Sequence, residues 1–282
     1  MSNRKDLPFL LILLEDDSRF VRETVVDELR KFGTELENLV EPHLDRLDPE
    51  SIDLLDEIID DLREDGFSDS WLDWLDIVNP KQSLEYALIQ LSYQEYGSEA
   101  FLLGDELDAL AEKFLEAYPN GTVSDLMGFL FQEQRFRSPL EGSFNPLHNN
   151  MMYTLRTRRG SQVSLSCLAI LVGWRVGIDL DGISIQGNFM AMMVEGNSMQ
   201  MFNSFNKGKP LARASVMYIE EAFRRNDIPP QKMKAQVFEI VLQILKSAID
   251  NFHRKGKVQQ KENYLNLYKS LVKELEVRGE ID

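Results

Sequence analysis

Strand-like alternation of apolar and polar residues is confined to one short stretch of this chain. Residues 182–194 alternate, residues 195–198 are typical of a turn, and residues 199–205 form a second apolar segment. Two such segments across a short turn predict an antiparallel β-hairpin. Since no comparable signal occurs elsewhere in the 282 residues, we predict an α+β protein that is mostly helical, with one small antiparallel sheet.

Apolar residues outside this stretch recur at helical spacing. Leu7, Leu10, Leu11 and Leu14 share one face of a first helix, and residues 20–32 predict a second that ends at Gly33. This pair resembles one HEAT unit, which needs a further surface on which to stack. Further helices are predicted at 36–47, 51–63, 71–76, 83–96, 104–118, 123–134, 151–157 and 162–176, with a C-terminal pair at 231–252 and 259–277. Gly66 is predicted to interrupt the helices, and Ser83 to cap one of them.

Charge is both negative overall and unevenly distributed. The chain has 31 basic and 47 acidic residues, a formal net charge of −16, which argues against nonspecific binding to nucleic acid or anionic lipid. Residues 35–76 hold sixteen acids and two bases, whereas residues 207–273 hold fourteen bases and six acids. The two regions are predicted either to attract each other or to meet a partner. We expect a protein or peptide partner rather than nucleic acid or a membrane, and the sequence leaves the oligomeric state open.

The single cysteine, Cys167, rules out an intramolecular disulfide and favours a reducing compartment. An apolar run at 7–14 is shorter than the roughly 20 residues that span a bilayer, and no small-residue cleavage pattern follows it. Both observations favour a cytoplasmic protein. No spacing of His, Cys or acidic residues matches a metal site, and no glycine-rich phosphate loop is present. The sequence therefore predicts neither a metal nor a cofactor.

Five short motifs follow one another between residues 144 and 208. They are 144–150 (FNPLHNN), 158–166 (RRGSQVSLS), 177–182 (GIDLDG), 187–189 (GNF) and 203–208 (NSFNKG). Their order and spacing resemble the SirB-type transglutaminase-like proteins. The resemblance implies a papain/transglutaminase-like core at residues 122–212, preceded by a helical N-terminal region at 1–121. It also implies a tetratricopeptide-like helical hairpin at 213–282.

The resemblance also identifies the positions where active transglutaminase-like enzymes carry their catalytic groups. Such enzymes begin the central helix with a Cys, place a His on the following strand and orient it with an Asp on the next. This chain has Gln162, Asn188 and Asn203 at these positions. A primary amide neither titrates near neutral pH nor yields a reactive anion. We therefore predict a noncatalytic binding or scaffold protein, in which the three amides hold a peptide or an amide group in a vestigial cleft.

Two alternatives remain open from the sequence. The first is an acyl-transfer or protease-like enzyme that uses displaced residues, with Cys167 as nucleophile and His148 as base. Cys167 lies five residues after Gln162, a rotation of roughly 500° on a helix, so its side chain is expected to point elsewhere and to be buried. The second alternative is a scaffold that binds partners through its helical surfaces, with no function left in the cleft.

Overall fold

The structure, a computed structural model, describes residues 5–16, 18–140, 145–185, 187–196, 198–225 and 233–281. Contacts between Cα atoms separate two compact units, Met1–Leu72 and Asp73–Asp282. The helices are α1 (Leu7–Leu13), α2 (Arg19–Arg30), α3 (Leu36–Val40), α4 (Pro49–Ser70), α5 (Pro80–Tyr96), α6 (Leu103–Ala117), α7 (Val123–Gly128), α8 (Met151–Thr157), α9 (Gln162–Arg175), α10 (Arg213–Arg224), α11 (Val237–Arg254) and α12 (Val258–Arg278). The strands are β1 (Asp181–Ile185), β2 (Asn188–Glu195), β3 (Ser198–Asn203) and β4 (Lys209–Pro210). No helix within the described ranges is both long enough and apolar enough to cross a bilayer.

The first unit packs its helices around an aliphatic core. α1 buries Leu7 and Leu11, and Leu14 directly after the helix is buried with them; all three lie on the face that the sequence predicted. Its other face is exposed, with Phe9 and Ile12 at 68% and 66% exposure. The remaining buried members of this core are Val25, Leu29, Leu36, Val40, Leu55, Ile58 and Ile59.

Helix α4 is longer than the sequence predicted. Its start is fixed by Asp48, whose side chain accepts a hydrogen bond from the backbone N–H of Ser51 at 2.7 Å, and by Pro49 in the first helical position. The predicted break at Gly66 is wrong, because the helix continues to Ser70. A glycine within a helix costs only about 1 kcal/mol relative to alanine and does not by itself end the helix.

The second unit begins its long helix α5 three residues before the predicted cap. Asn79 is the N-cap, and its side chain accepts hydrogen bonds from two backbone N–H groups of the first turn. Pro80 follows in the first helical position, where the missing N–H group has no partner to lose. Ser83, the predicted cap, is buried inside the helix and donates its hydroxyl to the carbonyl of Trp74 at 2.8 Å.

Helix α9 is the buried centre of the second unit. Every residue from Val163 to Gly173 is buried, because α5, α6, α7 and α8 pack around it together with strand β2. The sequence of a helix that is enclosed on all sides is almost continuously apolar. Its first turn, which begins at Gln162, is therefore held in a fixed position relative to the sheet.

The sheet has four strands in the order β1-β2-β3-β4, all antiparallel. The prediction of one long strand over residues 182–194 is wrong, because this segment divides into β1 and β2, with Ile185 paired to Asn188. Gly187 in the connecting turn has φ +80°, a left-handed conformation that glycine adopts without steric cost. The predicted fold class is confirmed, since a mostly helical chain carries one small antiparallel sheet.

The C-terminal helices α11 and α12 pack against each other across a turn at Gly256. α11 begins later than predicted, because Gln236 and Glu239 form a capping box that fixes its start at Val237. Residues 233–236 are not helical. The predicted start at Gln231 lies outside the described residues.

The division into regions 1–121, 122–212 and 213–282 stays a prediction. Within the second unit, α5 and α6 pack against α9, and α11 packs against a 3-10 turn at Pro146–Asn149. The surroundings of α9 therefore come from all three predicted regions.

Candidate functional site

The first turn of α9 is fastened to the loop that precedes it. Ser161 is the N-cap, and its hydroxyl accepts a hydrogen bond from the backbone N–H of Ser164. The carbonyl of His148 accepts from the backbone N–H of Ser161 at 2.7 Å and from the hydroxyl of Ser164 at 2.9 Å. Gln162 is the first residue of the helix and is half-buried. The turn that carries Gln162 is thus held to the preceding loop by three hydrogen bonds.

Hydrogen bonds through two serine hydroxyls connect the other two predicted positions to this turn. The hydroxyl of Ser166 donates to the carbonyl of Phe189 at 3.4 Å and lies 3.3 Å from the hydroxyl of Ser204. Ser204 in turn donates to the carbonyl of Gln162 at 3.4 Å. Phe189 follows Asn188, and Ser204 follows Asn203. The backbone segments of all three amide positions therefore meet at the start of α9.

Strands β2 and β3 place Asn188 and Asn203 on one face of the sheet. Phe202 pairs with Ala191, so the same register puts Asn203 opposite Met190 and diagonal to Asn188. Diagonal neighbours lie roughly 7–8 Å apart. Asn188 and Asn203 therefore belong to the face of the sheet that also carries Met190.

Most of this face is covered, and only its end is open. Met190, Met192, Met201 and Val216 of α10 fill it with a buried core. Asn188, at the start of β2, is exposed. Any ligand that meets the amides must therefore approach from this end of the strands.

The three amide side chains have different hydrogen-bonding states. Asn203 accepts from the backbone N–H groups of Phe205 at 3.0 Å and of Asn206 at 3.3 Å, so its carbonyl oxygen serves to end β3 in a tight turn. Within the described part of the chain, the structure shows no hydrogen-bond partner for the side-chain amides of Gln162 and Asn188. These two amides retain both their donors and their acceptors for a ligand.

The surroundings of Cys167 make its thiol unreactive. Its side chain has no exposed surface, as its position on an apolar helix predicted, and burial raises the pKa of the thiol from 9.0 to about 12. A thiol in such surroundings stays protonated at physiological pH and is a poor nucleophile.

His148 lies close to the first turn of α9 but is turned into the protein. It is buried at 7% exposure, and its ring meets Tyr153 edge-on with 5.6 Å between ring centres. Burial, and then the positive charge of Arg159, lower the pKa of His148. The imidazole is therefore neutral at physiological pH.

The structure reveals two polar features that the sequence reasoning missed. Asn150, predicted only as part of a motif, caps α8 and lies 3.3 Å from the hydroxyl of Ser92 in a buried network that includes Tyr264 and Glu95. Arg137 and Arg159 are brought side by side by a short parallel bridge between two loops. The sequence indicated the pairing of Arg137 and Arg159 only through the cluster of arginines at residues 135–159. Among the described residues, no group of three or more acidic, His or Cys side chains is arranged to hold a metal ion.

Comparison with known proteins gives similarity over part of the chain. A model of the family described as the transglutaminase-like superfamily matches residues 102–246. Two curated relatives, each called "UPF0162 protein" and coming from Xylella fastidiosa strains 9a5c and Temecula1, are each 25% identical to this chain over 109 residues. The matched segment is 39% of this chain and 39% of each relative, so the chain spans well under half the length of these proteins. No solved structure matches.

Proposed function

Because this chain belongs to the transglutaminase-like superfamily, we propose that it is a noncatalytic member of the SirB type that binds a peptide through a carboxamide group. The observation that carries the proposal is the meeting of three amide-bearing segments at the start of α9, where the family places its reacting groups. None of the three side chains can act as nucleophile or base. The lone cysteine supports a reducing, cytoplasmic location for this function.

An amide is a suitable partner for another amide. The side chain of Gln162 offers two N–H donors and one carbonyl acceptor, as does that of Asn188, so either can pair with a peptide carboxamide through two hydrogen bonds. The start of α9 adds the positive end of the helix dipole, which favours the carbonyl oxygen of the ligand. The retained framework thus serves binding, because it presents unpaired polar groups in a fixed geometry.

The test measures binding of a fluorescein-labelled peptide with the sequence Gly-Ser-Gln-Ser-Gly by fluorescence anisotropy. We expect tighter binding than for the peptide with leucine in place of the central glutamine, by roughly tenfold for two hydrogen bonds. Gln162→Ala and Asn188→Ala remove this preference. Gln200→Ala, which changes an exposed glutamine on β3, is the matched control and leaves it intact. Equal affinity for the two peptides in the wild-type protein contradicts the proposal.

The enzyme alternative requires a reactive thiol at Cys167. The burial of this side chain and its raised pKa, about 12, count against that role, and the neutral His148 then has no nucleophile to serve. The rate of alkylation by iodoacetamide as a function of pH separates the two hypotheses. We expect slow labelling of the folded protein at pH 6 to 8 and fast labelling after unfolding in urea. Fast labelling of the folded protein near pH 6 supports the enzyme.

A scaffold that acts through its helical surface is the second candidate. It is favoured by the exposed apolar face of α1, where Phe9 and Ile12 have 68% and 66% of their surface in contact with solvent. Exposed apolar groups of this kind often mark contact sites for other proteins. This candidate expects Gln162→Ala and Asn188→Ala to leave partner binding unchanged, whereas Phe9→Ser and Ile12→Ser abolish it.

A further inference from the structure

Arginine is concentrated in a part of the second unit where the chain is otherwise acidic. Residues 131–166 contain five arginines and two glutamates, in a protein whose net charge is −16. The five are Arg135, Arg137, Arg156, Arg158 and Arg159. Arg156 lies in the last turn of α8, and the other four lie on two loops, one after α7 and one between α8 and α9.

Backbone hydrogen bonds hold the two loops together. The N–H of Arg137 donates to the carbonyl of Arg158 at 3.1 Å, and the N–H of Gly160 donates to the carbonyl of Arg137 at 3.2 Å. Arg137 and Arg159 are thereby paired in a parallel bridge. Like charges on directly paired residues destabilise one another. A bound anion removes this repulsion.

Two of the five arginines have their charge engaged within the protein. Arg156 forms an ion pair with Glu99 at 2.8 Å. Arg158 is turned inward, with its guanidinium 4.4 Å from the centre of the Phe136 ring. Neither has its charge available to a ligand.

The other three arginines, Arg135, Arg137 and Arg159, form what we call the arginine face. Arg135 and Arg137 are exposed, and Arg159 is half-buried. Within the described ranges, no carboxylate lies at ion-pair distance from any of the three. Arg159 is nevertheless fixed in direction, since it donates to the carbonyl of Ser138 at 2.9 Å. The arginine face therefore presents positive charge to solvent, and the direction of the Arg159 side chain is already fixed.

The arginine face borders the start of α9. Arg159 precedes Gly160 and the N-cap Ser161 by one and two residues. Its charge also reaches His148, whose pKa it helps to lower, and the carbonyl of His148 is bonded to Ser161. An anionic group on the arginine face is thus close to a carboxamide held at Gln162.

We propose that the arginine face binds carboxylates of an acidic peptide segment, beside the glutamine or asparagine side chain held at the start of α9. This inference rests on the proposed function and names its ligand class. Arginine suits this task because its planar guanidinium matches a carboxylate with two parallel hydrogen bonds. The alternative anion, single-stranded RNA, is disfavoured by the overall charge of −16, which repels a polyphosphate at long range.

The test compares two fluorescein-labelled peptides, Glu-Asp-Gln-Asp-Glu and its neutral counterpart Gln-Asn-Gln-Asn-Gln, by fluorescence anisotropy on the full chain. Wild-type protein binds the acidic peptide roughly tenfold more tightly at about 50 mM salt, and the preference shrinks at about 200 mM because exposed charges are screened. The double variant R135Q/R137Q loses the preference. The matched control R224Q/R225Q also removes two exposed arginine charges, at the end of α10, and keeps the preference.

Each outcome decides the proposal separately from the proposed function. No preference for the acidic peptide in wild-type protein, no binding of it, or equal losses in the two double variants overturns the arginine face. RNA of fifteen uridines that displaces the acidic peptide at lower concentration than unlabelled peptide also overturns it. If Gln162→Ala weakens neither peptide while R135Q/R137Q weakens the acidic one, the arginine face stands and the amide-holding function fails.

Discussion

At the scale of single residues, Asn203 fixes the turn that follows β3 through its side-chain oxygen. An aspartate at this position can accept the same two hydrogen bonds that Asn203 accepts from the backbone N–H groups of Phe205 and Asn206. Replacing the carboxylate by an amide therefore removes the charge and preserves the turn. The turn carries Ser204, which bonds to Gln162, so the amide maintains the link between β3 and α9.

We predict that Asn203→Ala lowers the free energy of unfolding by about 1 kcal/mol, the usual cost of losing a side chain that satisfies backbone N–H groups. Asn203→Asp keeps the two hydrogen bonds and changes the free energy by much less. Urea unfolding followed by circular dichroism measures both. Equal losses in the two variants would show that the hydrogen bonds of Asn203 do not stabilise the turn.

A second prediction at this scale concerns how stability depends on pH, because the pKa of the Cys167 thiol is raised in the folded state. The thiol has an ordinary pKa of 9.0 and a pKa of about 12 when buried, so the unfolded chain loses its proton first as the pH rises. The stability that this group contributes is complete below pH 9 and is lost between pH 9 and 12. Relative to Cys167→Ala, the wild-type free energy of unfolding should fall by about 1.4 kcal/mol per pH unit in this range. Parallel pH profiles for the two proteins contradict the prediction.

At the scale of elements, hydrogen bonds connect α9 to strand β2 and to the turn that follows β3. The first helical position favours a thiolate, since the N-terminal end of the helix dipole is positive. Asn188 lies next to Phe189, whose carbonyl is bonded one turn along α9 from Gln162. These hydrogen bonds fix the start of α9 relative to β2 and to the turn that carries Ser204.

Introducing a Cys, a His and an Asp at positions 162, 188 and 203 tests whether these side chains converge. In the triple variant Q162C/N188H/N203D, we expect the thiol introduced at the start of α9 to react with iodoacetamide at pH 6 at least about tenfold faster than in Q162C alone, because an adjacent imidazolium lowers the pKa of a thiol. Cys167 stays unreactive in both. Q162C/N203D, which lacks the imidazole, is the control and reacts like Q162C. Equal rates for the triple variant and Q162C would show that the side chains do not converge.

At the scale of the whole molecule, the chain is built from two compact units, each with its own core. The aliphatic core of the first unit contains only residues from Leu7 to Ile59, and the second unit, Asp73–Asp282, encloses α9 with its own helices and sheet. The match to the transglutaminase-like superfamily, 102–246, lies entirely within the second unit. This agrees with the packing of α6 and α11 around the site, on either side of the predicted core at 122–212.

We predict that the second unit folds without the first. A chain that begins at Asp73 should keep a single cooperative urea transition and a native near-ultraviolet circular dichroism signal from its aromatic residues, because its core needs no residue of the first unit's aliphatic cluster. Loss of cooperativity on removal of residues 1–72, with recovery when they are supplied, would contradict this division.

The sequence predicted the features that depend on near neighbours along the chain. Periodicity located α1, α8, α9 and the apolar strands, because a buried face recurs at a spacing set by the backbone. It was wrong at Gly66, where the helix continues. It was also wrong at residues 182–194, where the predicted strand divides into β1 and β2. A single glycine costs too little to end a helix, and the left-handed turn at Gly187 divides the strand.

The sequence by itself determined that residues 162, 188 and 203 are amides within motifs that resemble those of transglutaminase-like proteins, since the residue types in a motif need no coordinates. Only the tertiary structure decided what these amides do. It assigned Asn203 to a turn, left Gln162 and Asn188 unpaired within the described residues, buried Cys167, and set Arg137 beside Arg159. The physical reason is that hydrogen-bond partners and burial come from segments far apart in the chain, and local residue patterns carry no information about which segments meet.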